Sequence, residues 1–324
     1  MKRLSIFFLL LCLTSAVCAS RPKVGLVLGG GGAKGAAEVG VLKVIERAGI
    51  PIDYIVGTSI GSIVGGLYAT GYNSAELDTI MRSQEWLSLL TDRREEFSDE
   101  LYKVKDGMTY IFGFPILDKN ASALGSVGAL RGKRIEAMLD SLMGYRGYNE
   151  FESLKIPFKC VACDFKTATE VVLDDGCPAT AMRASMAIPG IFKPVRKGDM
   201  TLVDGGMMNN LPVDVVRQMG ADIVIAIDLQ QDKPKPRKKT DAGYVGMFAD
   251  MLGIGGLINW IATRPDIRKY DENRKSADVY INPALPDYDA SSFGNKNVAR
   301  MIDIGEKAGL SHWNELLKLK ERLK

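Results

Sequence analysis

Lys23-Val24-Gly25-Leu26-Val27-Leu28-Gly29-Gly30-Gly31-Gly32-Ala33-Lys34-Gly35 is a short apolar run that ends in a series of glycines. The residues after it place Val39, Leu42, Val44 and Ile45 at near-helical spacing up to Ala48. The segment therefore reads as strand, glycine turn and helix. Gly49-Ile50-Pro51 closes that helix, and residues 53–56 predict a second buried strand, followed by Ser59 and a glycine-rich helical stretch over 61–69.

The alternation continues along the chain. Apolar and β-branched runs predict strands at 158–162, 170–173, 201–203, 223–227 and 279–281, and helical spacing predicts helices at 131–142, 180–186 and 213–219. Strands alternating with helices imply an α/β domain with a parallel sheet and helices on both faces. Residues 93–129 and 230–260 break the pattern, and long insertions of this kind usually cover or line a site. The second holds Lys233-Pro234-Lys235-Pro236-Arg237-Lys238-Lys239, followed by Met247-Phe248-Ala249-Asp250-Met251-Leu252-Gly253-Ile254. It is open to two readings: a segment resting on an anionic membrane, or a solvated loop leading into a core helix.

With 324 residues, of which 46% are hydrophobic and 25% charged, the chain is long enough for one sizeable core. Lys2 and Arg3, an apolar run over 4–13 and small residues up to Ala19 have the pattern of a secretory signal peptide over residues 1–19, cut before Ser20. The apolar run is shorter than the ~20 residues a spanning helix needs, which argues against a retained anchor. What remains, 20–324, is expected to be a single domain with its core at about 23–309 and a C-terminal helix at 311–324. It would be soluble or peripheral in the periplasm, on the outer surface or in the medium. The formal charge of +3 falls to +1 without Lys2 and Arg3, so there is no electrostatic case for a nucleic-acid partner.

Of the five cysteines, Cys160, Cys163 and Cys177 lie beyond the leader, an odd number in a compartment that permits one disulfide plus one buried thiol. Cys160-Val161-Ala162-Cys163 has the form of a redox or zinc half-site. No second cysteine pair or histidine lies near enough in sequence to complete a metal shell.

Gly57-Thr58-Ser59-Ile60-Gly61 has the pattern of a nucleophile elbow, a sharp strand-to-helix turn that projects a serine hydroxyl above the sheet. Gly57 and Gly61 would permit the close packing, and the Ile60 amide at the helix start would face a developing oxyanion. The alternative is a glycine-rich packing turn without chemistry. The glycine loop is not a P-loop, because Ala33-Lys34-Gly35 stands where Gly-Lys-Ser or Gly-Lys-Thr is required. As a dinucleotide fingerprint, Gly30, Gly32 and Gly35 have the right spacing, with Asp53 as a ribose ligand; but Asp53 precedes its strand instead of ending it. As an oxyanion hole, successive glycine amides would hold negative charge on an ester carbonyl, one such donor being worth ~3 kcal/mol in the transition state.

Asp204 leaves the end of the strand at 201–203 into Gly205-Gly206. It is either a structural aspartate at a turn or a base for Ser59, the latter working best if it is partly desolvated and hydrogen-bonded to that serine. The one histidine, His312, stands in the chain order of a Ser59, Asp204, His312 triad. α/β-hydrolases with that triad place several strands before the elbow, whereas Ser59 follows only the second strand.

The glycine loop, the Gly57–Gly61 elbow and Asp204-Gly205-Gly206, in this order and at these separations, resemble the patatin-like phospholipase family. Arg183-Ala184-Ser185-Met186-Ala187-Ile188-Pro189-Gly190-Ile191-Phe192 is similar to the family's segment upstream of its aspartate, and the likeness runs from about Lys23 to Gly309. The resemblance implies a three-layer α/β/α domain with a mostly parallel sheet. It also implies cleavage of fatty-acyl esters through an acyl-enzyme, with Ser59 as nucleophile, Asp204 as base and no metal or organic cofactor. Gly30, Gly31 and Gly32 with Ile60 would form the oxyanion hole, supported by Gly35, Gly57, Gly61, Gly205 and Gly206. Bacterial members often carry histidine where this chain has Glu38. The expected partner is a lipid or membrane surface, with residues 110–114 receiving an acyl chain. A non-catalytic lipid-binding or storage protein and an esterase of soluble short esters remain as alternatives.

Overall fold

The computed structural model describes residues 21–90, 92, 103–105, 108–110, 130–230 and 267–324. The expected leader, residues 111–114 of the stretch expected to receive an acyl chain, and the basic and apolar stretches at 233–239 and 247–254 lie outside the described residues. No helix among the described residues is long and apolar enough to cross a membrane.

In chain order the elements are β1 (Val24–Leu28), α1 (Ala36–Ala48), β2 (Tyr54–Thr58), α2 (Ile60–Ala69), α3 (Ser74–Ser83) and α4 (Trp86–Leu90). They continue with β3 (Lys103–Lys105), β4 (Met108–Tyr110), α5 (Lys133–Tyr145), β5 (Phe158–Asp164), β6 (Thr169–Leu173), α6 (Pro178–Ser185) and β7 (Val195–Lys197). The rest are β8 (Met200–Asp204), α7 (Val213–Gln218), β9 (Ile223–Ile227), α8 (Ile267–Ser276), β10 (Val279–Ile281), α9 (Asn295–Ser311) and α10 (Trp313–Arg322). The strands expected from the sequence are all present within a residue or two of their expected ends. The C-terminal region is richer than expected: α9 precedes the terminal helix, and His312 is the joint between the two.

Eight strands form one sheet in the order β10, β9, β1, β2, β5, β8, β7, with β6 also on β5. From β10 to β5 every pairing is parallel. Beyond β5 the pairings turn antiparallel, so the sheet is mixed and only mostly parallel. Alternation along the central strands divides the core into two layers, as the period-2 geometry of strands requires. Leu26, Leu28, Ile225 and Ile227 pack with α1, α2 and α6, and Val298, Met301 and Ile302 of α9 join that layer. Val27, Val56, Val161, Val224 and Ala226 face Val213, Val215 and Val216 of α7 and Tyr270 of α8. Helices thus cover both faces, and each fully enclosed aliphatic side chain adds about 1.5–3 kcal/mol from burial.

One feature of β5 positions the site. Gly57 and Thr58 at the end of β2 pair with Cys160 and Val161 of β5. Asp204 at the end of β8 pairs with Ala162, the next residue along. Because β6 already occupies the other edge of Cys160, Val161 and Ala162, β2 and β8 share a single edge of β5. They run in opposite senses, so their C-terminal ends meet head to head there.

The same strand disposes of the cysteine expectations. Cys160 and Cys163 are free thiols buried three positions apart on β5. Side chains an odd number of residues apart point to opposite faces of a strand, so the two can neither pair nor share a metal. Cys177 is free and exposed, so none of the three is in a disulfide.

Candidate active site

The turn after β2 is strained. Ser59 has φ 54° and ψ −124°, a backbone conformation that costs a non-glycine residue about 1–3 kcal/mol and persists only where its surroundings over-determine it. Here they do. The Ser59 amide donates to Ser185 Oγ (2.9 Å), which in turn donates to the Val161 carbonyl (2.6 Å). The Ser59 carbonyl accepts from both the amide and the hydroxyl of Ser62, at 2.9 and 2.6 Å. Around the turn, a Cβ on Gly57 would collide with the Gly61 carbonyl, and one on Gly61 with the carbonyl of Leu28. The bare backbones of β1, β2 and α2 meet here because neither residue has a side chain.

Asp204 reaches this turn from β8. The Ser59 hydroxyl donates to Asp204 Oδ2 at 2.7 Å, and the Gly206 amide donates to Oδ1, also at 2.7 Å. Ser59 and Asp204 are only 6% and 7% exposed. Burial pushes the Asp204 carboxyl up to about 6, while the bonds from Ser59 and Gly206 act in the opposite direction. A carboxylate so placed is a stronger base than an exposed aspartate and is still ionised at neutral pH.

The glycine loop lies against the pair. Gly29 donates its amide to the Ile227 carbonyl (3.0 Å) and Gly30 donates to the Asn210 carbonyl (3.2 Å). Gly30 therefore departs from the expected role of an oxyanion donor, because its N–H is already committed. The amides of Gly31, Gly32 and Ile60 have no acceptor among the described residues. Gly32 has φ 59°, and a Cβ on Gly35 would collide with the Ile60 side chain, which brings the loop close to the elbow. Gly205 is pressed on the Val161 carbonyl in the same way.

The rival readings separate cleanly. Asp53 sits before β2, at the opposite end of that strand from Ser59, where it binds Arg21 (2.7 and 2.9 Å), Lys23 (3.2 Å) and the Val24 amide (2.8 Å). It is therefore remote from the glycine loop that a dinucleotide would need. His312 pairs with Glu315 at 2.8 Å within the C-terminal helices. The direct Ser59 to Asp204 bond leaves no place for an imidazole between them.

Glu38, in the first turn of α1, is fully buried, and neither carboxyl oxygen has a hydrogen-bond partner among the described residues. Burial, with Asp228 nearby, holds it well above the usual carboxylate range. Among the described residues no group of three or more His, Cys, Asp or Glu side chains is arranged to hold a metal ion.

Sequence reasoning missed two residues of the site. Ser185 lies in the segment already noted for its family likeness, but its role as acceptor for the Ser59 amide depends on a contact 126 residues away. Asn210 follows the Asp204-Gly205-Gly206 turn in Asn209-Asn210-Leu211-Pro212, and only its nearness to that turn would have drawn attention to it.

The chain is similar to curated proteins over much of its length. The chain is 35% identical over 208 residues to patatin-like phospholipase domain-containing protein 6 of Homo sapiens, covering 64% of this chain and 13% of that protein. It is 28% identical over 319 residues to lysophospholipase NTE1 of Lodderomyces elongisporus, covering 93% of this chain and 20% of that protein. The chain thus spans a fifth or less of the length of these relatives. Among solved structures, the type III effector protein ExoU aligns with a TM-score of 0.47 at 12% identity, over 92% of this chain and 54% of that one, a likeness too loose to bear on the assignment. The family described as patatin-like phospholipase matches residues 26–217, more than half of the chain and all of the Ser59 and Asp204 constellation, and the chain belongs to that family.

Proposed function

We propose that this protein is a serine acyl hydrolase that cleaves fatty-acyl esters of phospholipids or lysophospholipids. The observation that carries the reading is the 2.7 Å bond from the Ser59 hydroxyl to the enclosed Asp204 carboxylate, on a strained turn beside open backbone amides. Asp204 takes the hydroxyl proton as Ser59 Oγ attacks the ester carbonyl, and the oxyanion is received by the amides of Gly31, Gly32 and Ile60. The protonated Asp204 then passes its proton to the departing alcohol, leaving an acyl-serine. Water enters, Asp204 removes a proton from it, and the fatty acid is released as Ser59 regains its hydrogen. Each step uses groups of the chain itself and needs no metal or organic cofactor. Membership of the family and the names of the relatives support a lipid ester as the substrate class. The proposed site of action is beyond the inner membrane, on the reading of residues 1–19 as a leader.

The test is release of free fatty acid from phosphatidylcholine and lysophosphatidylcholine vesicles by the purified protein, beside Ser59→Ala, Asp204→Asn and His312→Ala, with EDTA throughout. Activity lost in the first two and kept in the third is the expected result. Activity on short soluble esters without any increase on vesicles would favour the soluble esterase, and a wild type inactive on every ester would favour a lipid-binding protein.

A further inference from the structure

Asn210 takes no part in the steps above, yet it joins the three pieces of the site. It is 6% exposed and lies between the Asp204-Gly205-Gly206 turn and α7. Its carbonyl accepts the Gly30 amide (3.2 Å) and its Nδ2 donates to the Gly30 carbonyl (3.0 Å). One residue thus grips both polar groups of Gly30. Its Oδ1 fills the space that a Cβ would need on Gly30 and also the space that one would need on Gly206. A Cβ on Gly30 would further stand 3.2 Å from Ser59 Cβ, so Gly30 is wedged between Asn210 and the nucleophile. Gly206 in turn gives Asp204 its second hydrogen bond.

The chain has few other means of holding the loop. Gly29 is the last residue tied to the sheet, through Ile227, and the next backbone anchor is the bond from the Ala33 amide to the Ala290 carbonyl (3.0 Å). Between these anchors Gly32 opens the 3-10 turn Gly32–Gly35 and Gly31 lies against the Leu229 side chain, while the hydrogen bonds that tie the loop to the Asp204 side of the site among the described residues are those between Gly30 and Asn210. We infer that Asn210 is a positioning residue, setting the distance between the loop's donors and the Ser59 and Asp204 pair. This inference rests on the hydrolase reading. It predicts a selective loss of kcat, because donors aimed at an oxyanion matter in the transition state and little for binding substrate. A displacement of about 1 Å at such a site costs about 10²-fold in rate.

The experiment compares wild type, Ser59→Ala, Asn210→Ala and Asn210→Asp. It measures kcat and KM on a p-nitrophenyl acyl ester, and amide hydrogen exchange in peptides covering 29–35 and 223–227. Asn210→Ala is expected to lower kcat about 10²-fold with KM within about threefold. Exchange at 29–35 should quicken while that of β9 stays as in wild type. Asn210→Asp has nearly the same volume but lacks the donor to Gly30, so it gives the same loss if the alanine variant does not fold. Its added carboxyl, close to Gly206, also moves the rising limb of the pH profile to higher pH, while the split between kcat and KM, with exchange quickened at 29–35 alone, is what a merely structural role would not produce. A kcat within threefold of wild type, or exchange quickened equally in β9, overturns the inference while the hydrolase reading stands. A wild type as inactive as Ser59→Ala overturns both.

Discussion

Asp204 and Glu38 are both enclosed carboxyls beside the glycine loop, neither is in an ion pair among the described residues, and both are raised above their ordinary values in different surroundings. Asp204 accepts from Ser59 and Gly206, and burial raises it only to about 6. Glu38 accepts from nothing; the Gly29 amide near it is given to Ile227, and burial together with Asp228 lifts it well above the normal range. Burial is common to the two, and they differ in the donors they face and in the Asp228 charge beside Glu38. With two donors the enclosed carboxyl of Asp204 is raised only to about 6 and can act as a base, whereas Glu38, without them and beside Asp228, is held well above its usual range.

Removing the donor-rich carboxylate has the largest expected effect. Asp204→Asn, like Ser59→Ala, should lower the initial rate of ester hydrolysis by about 10³-fold or more. The aspartate variant should nevertheless melt higher than wild type at pH 8. Its folded pKa of about 6 lies above the value near 3.9 of an unfolded chain, so the folded state loses stability as pH rises through that window. The loss is complete above it and amounts to about 3 kcal/mol. Melting curves of the two proteins at pH 4 and pH 8 check this: the gap should open only at the higher pH.

The next test of the contrast is the pH profile. With Asp204 as the base, kcat/KM should fall about tenfold per unit below pH 6 and level off above pH 7. A profile flat to pH 4 would leave Asp204 without the role of base. Gly206→Ala then weakens one donor: the new Cβ would overlap Asn210 Oδ1 and approach Asp204 Oδ1 to 3.0 Å. A loss of about tenfold in kcat and a rising limb shifted to higher pH are expected, since a carboxylate with one donor fewer is held higher.

Glu38→Gln should have the smallest effect, because it keeps the shape of a side chain that takes part in no step of the proposed reaction. Activity should stay within threefold. Its mark is in stability: the folded Glu38 is raised above its unfolded value, so wild type loses stability from about pH 4.3 upward. The melting temperature of Glu38→Gln relative to wild type should therefore climb with pH by a few degrees. Asp228 and Lys34 face the same region. Lys34 is lowered by burial, with Asp228 and Asp289 acting in the opposite direction, while Tyr270 and Tyr280 both donate to Asp228. A melting difference that does not change between pH 5 and pH 9 would mean that these neighbours accept the Glu38 charge.

Much of the fold was legible because its signals are local. Apolar runs ending in glycine marked β1 and β2, and near-helical spacing marked α1 to the residue. β7 was not legible, since Val195–Lys197 is three residues long and only partly buried. α9 was missed because its apolar face is interrupted by Gly305 and Gly309. Those glycines have a tertiary cause: a Cβ on Gly305 would collide with the Ala37 carbonyl, so α9 lies directly on the backbone of α1.

The sequence by itself determined which groups make up the candidate site: a serine on a Gly57–Gly61 turn, a loop of bare amides, and an aspartate leaving a strand into two glycines. Those features depend on neighbours a few residues apart, and local sterics suffice to specify them. Only the tertiary structure decided that Ser59 and Asp204 touch across 145 residues of chain, that Asn210 rather than solvent takes the Gly30 amide, and that Glu38 is left without a donor. The physical reason is the edge of β5, where β2 and β8 arrive from opposite directions and end at adjacent residues. Strand pairing of that kind is set by how the whole sheet packs, and no local pattern encodes it.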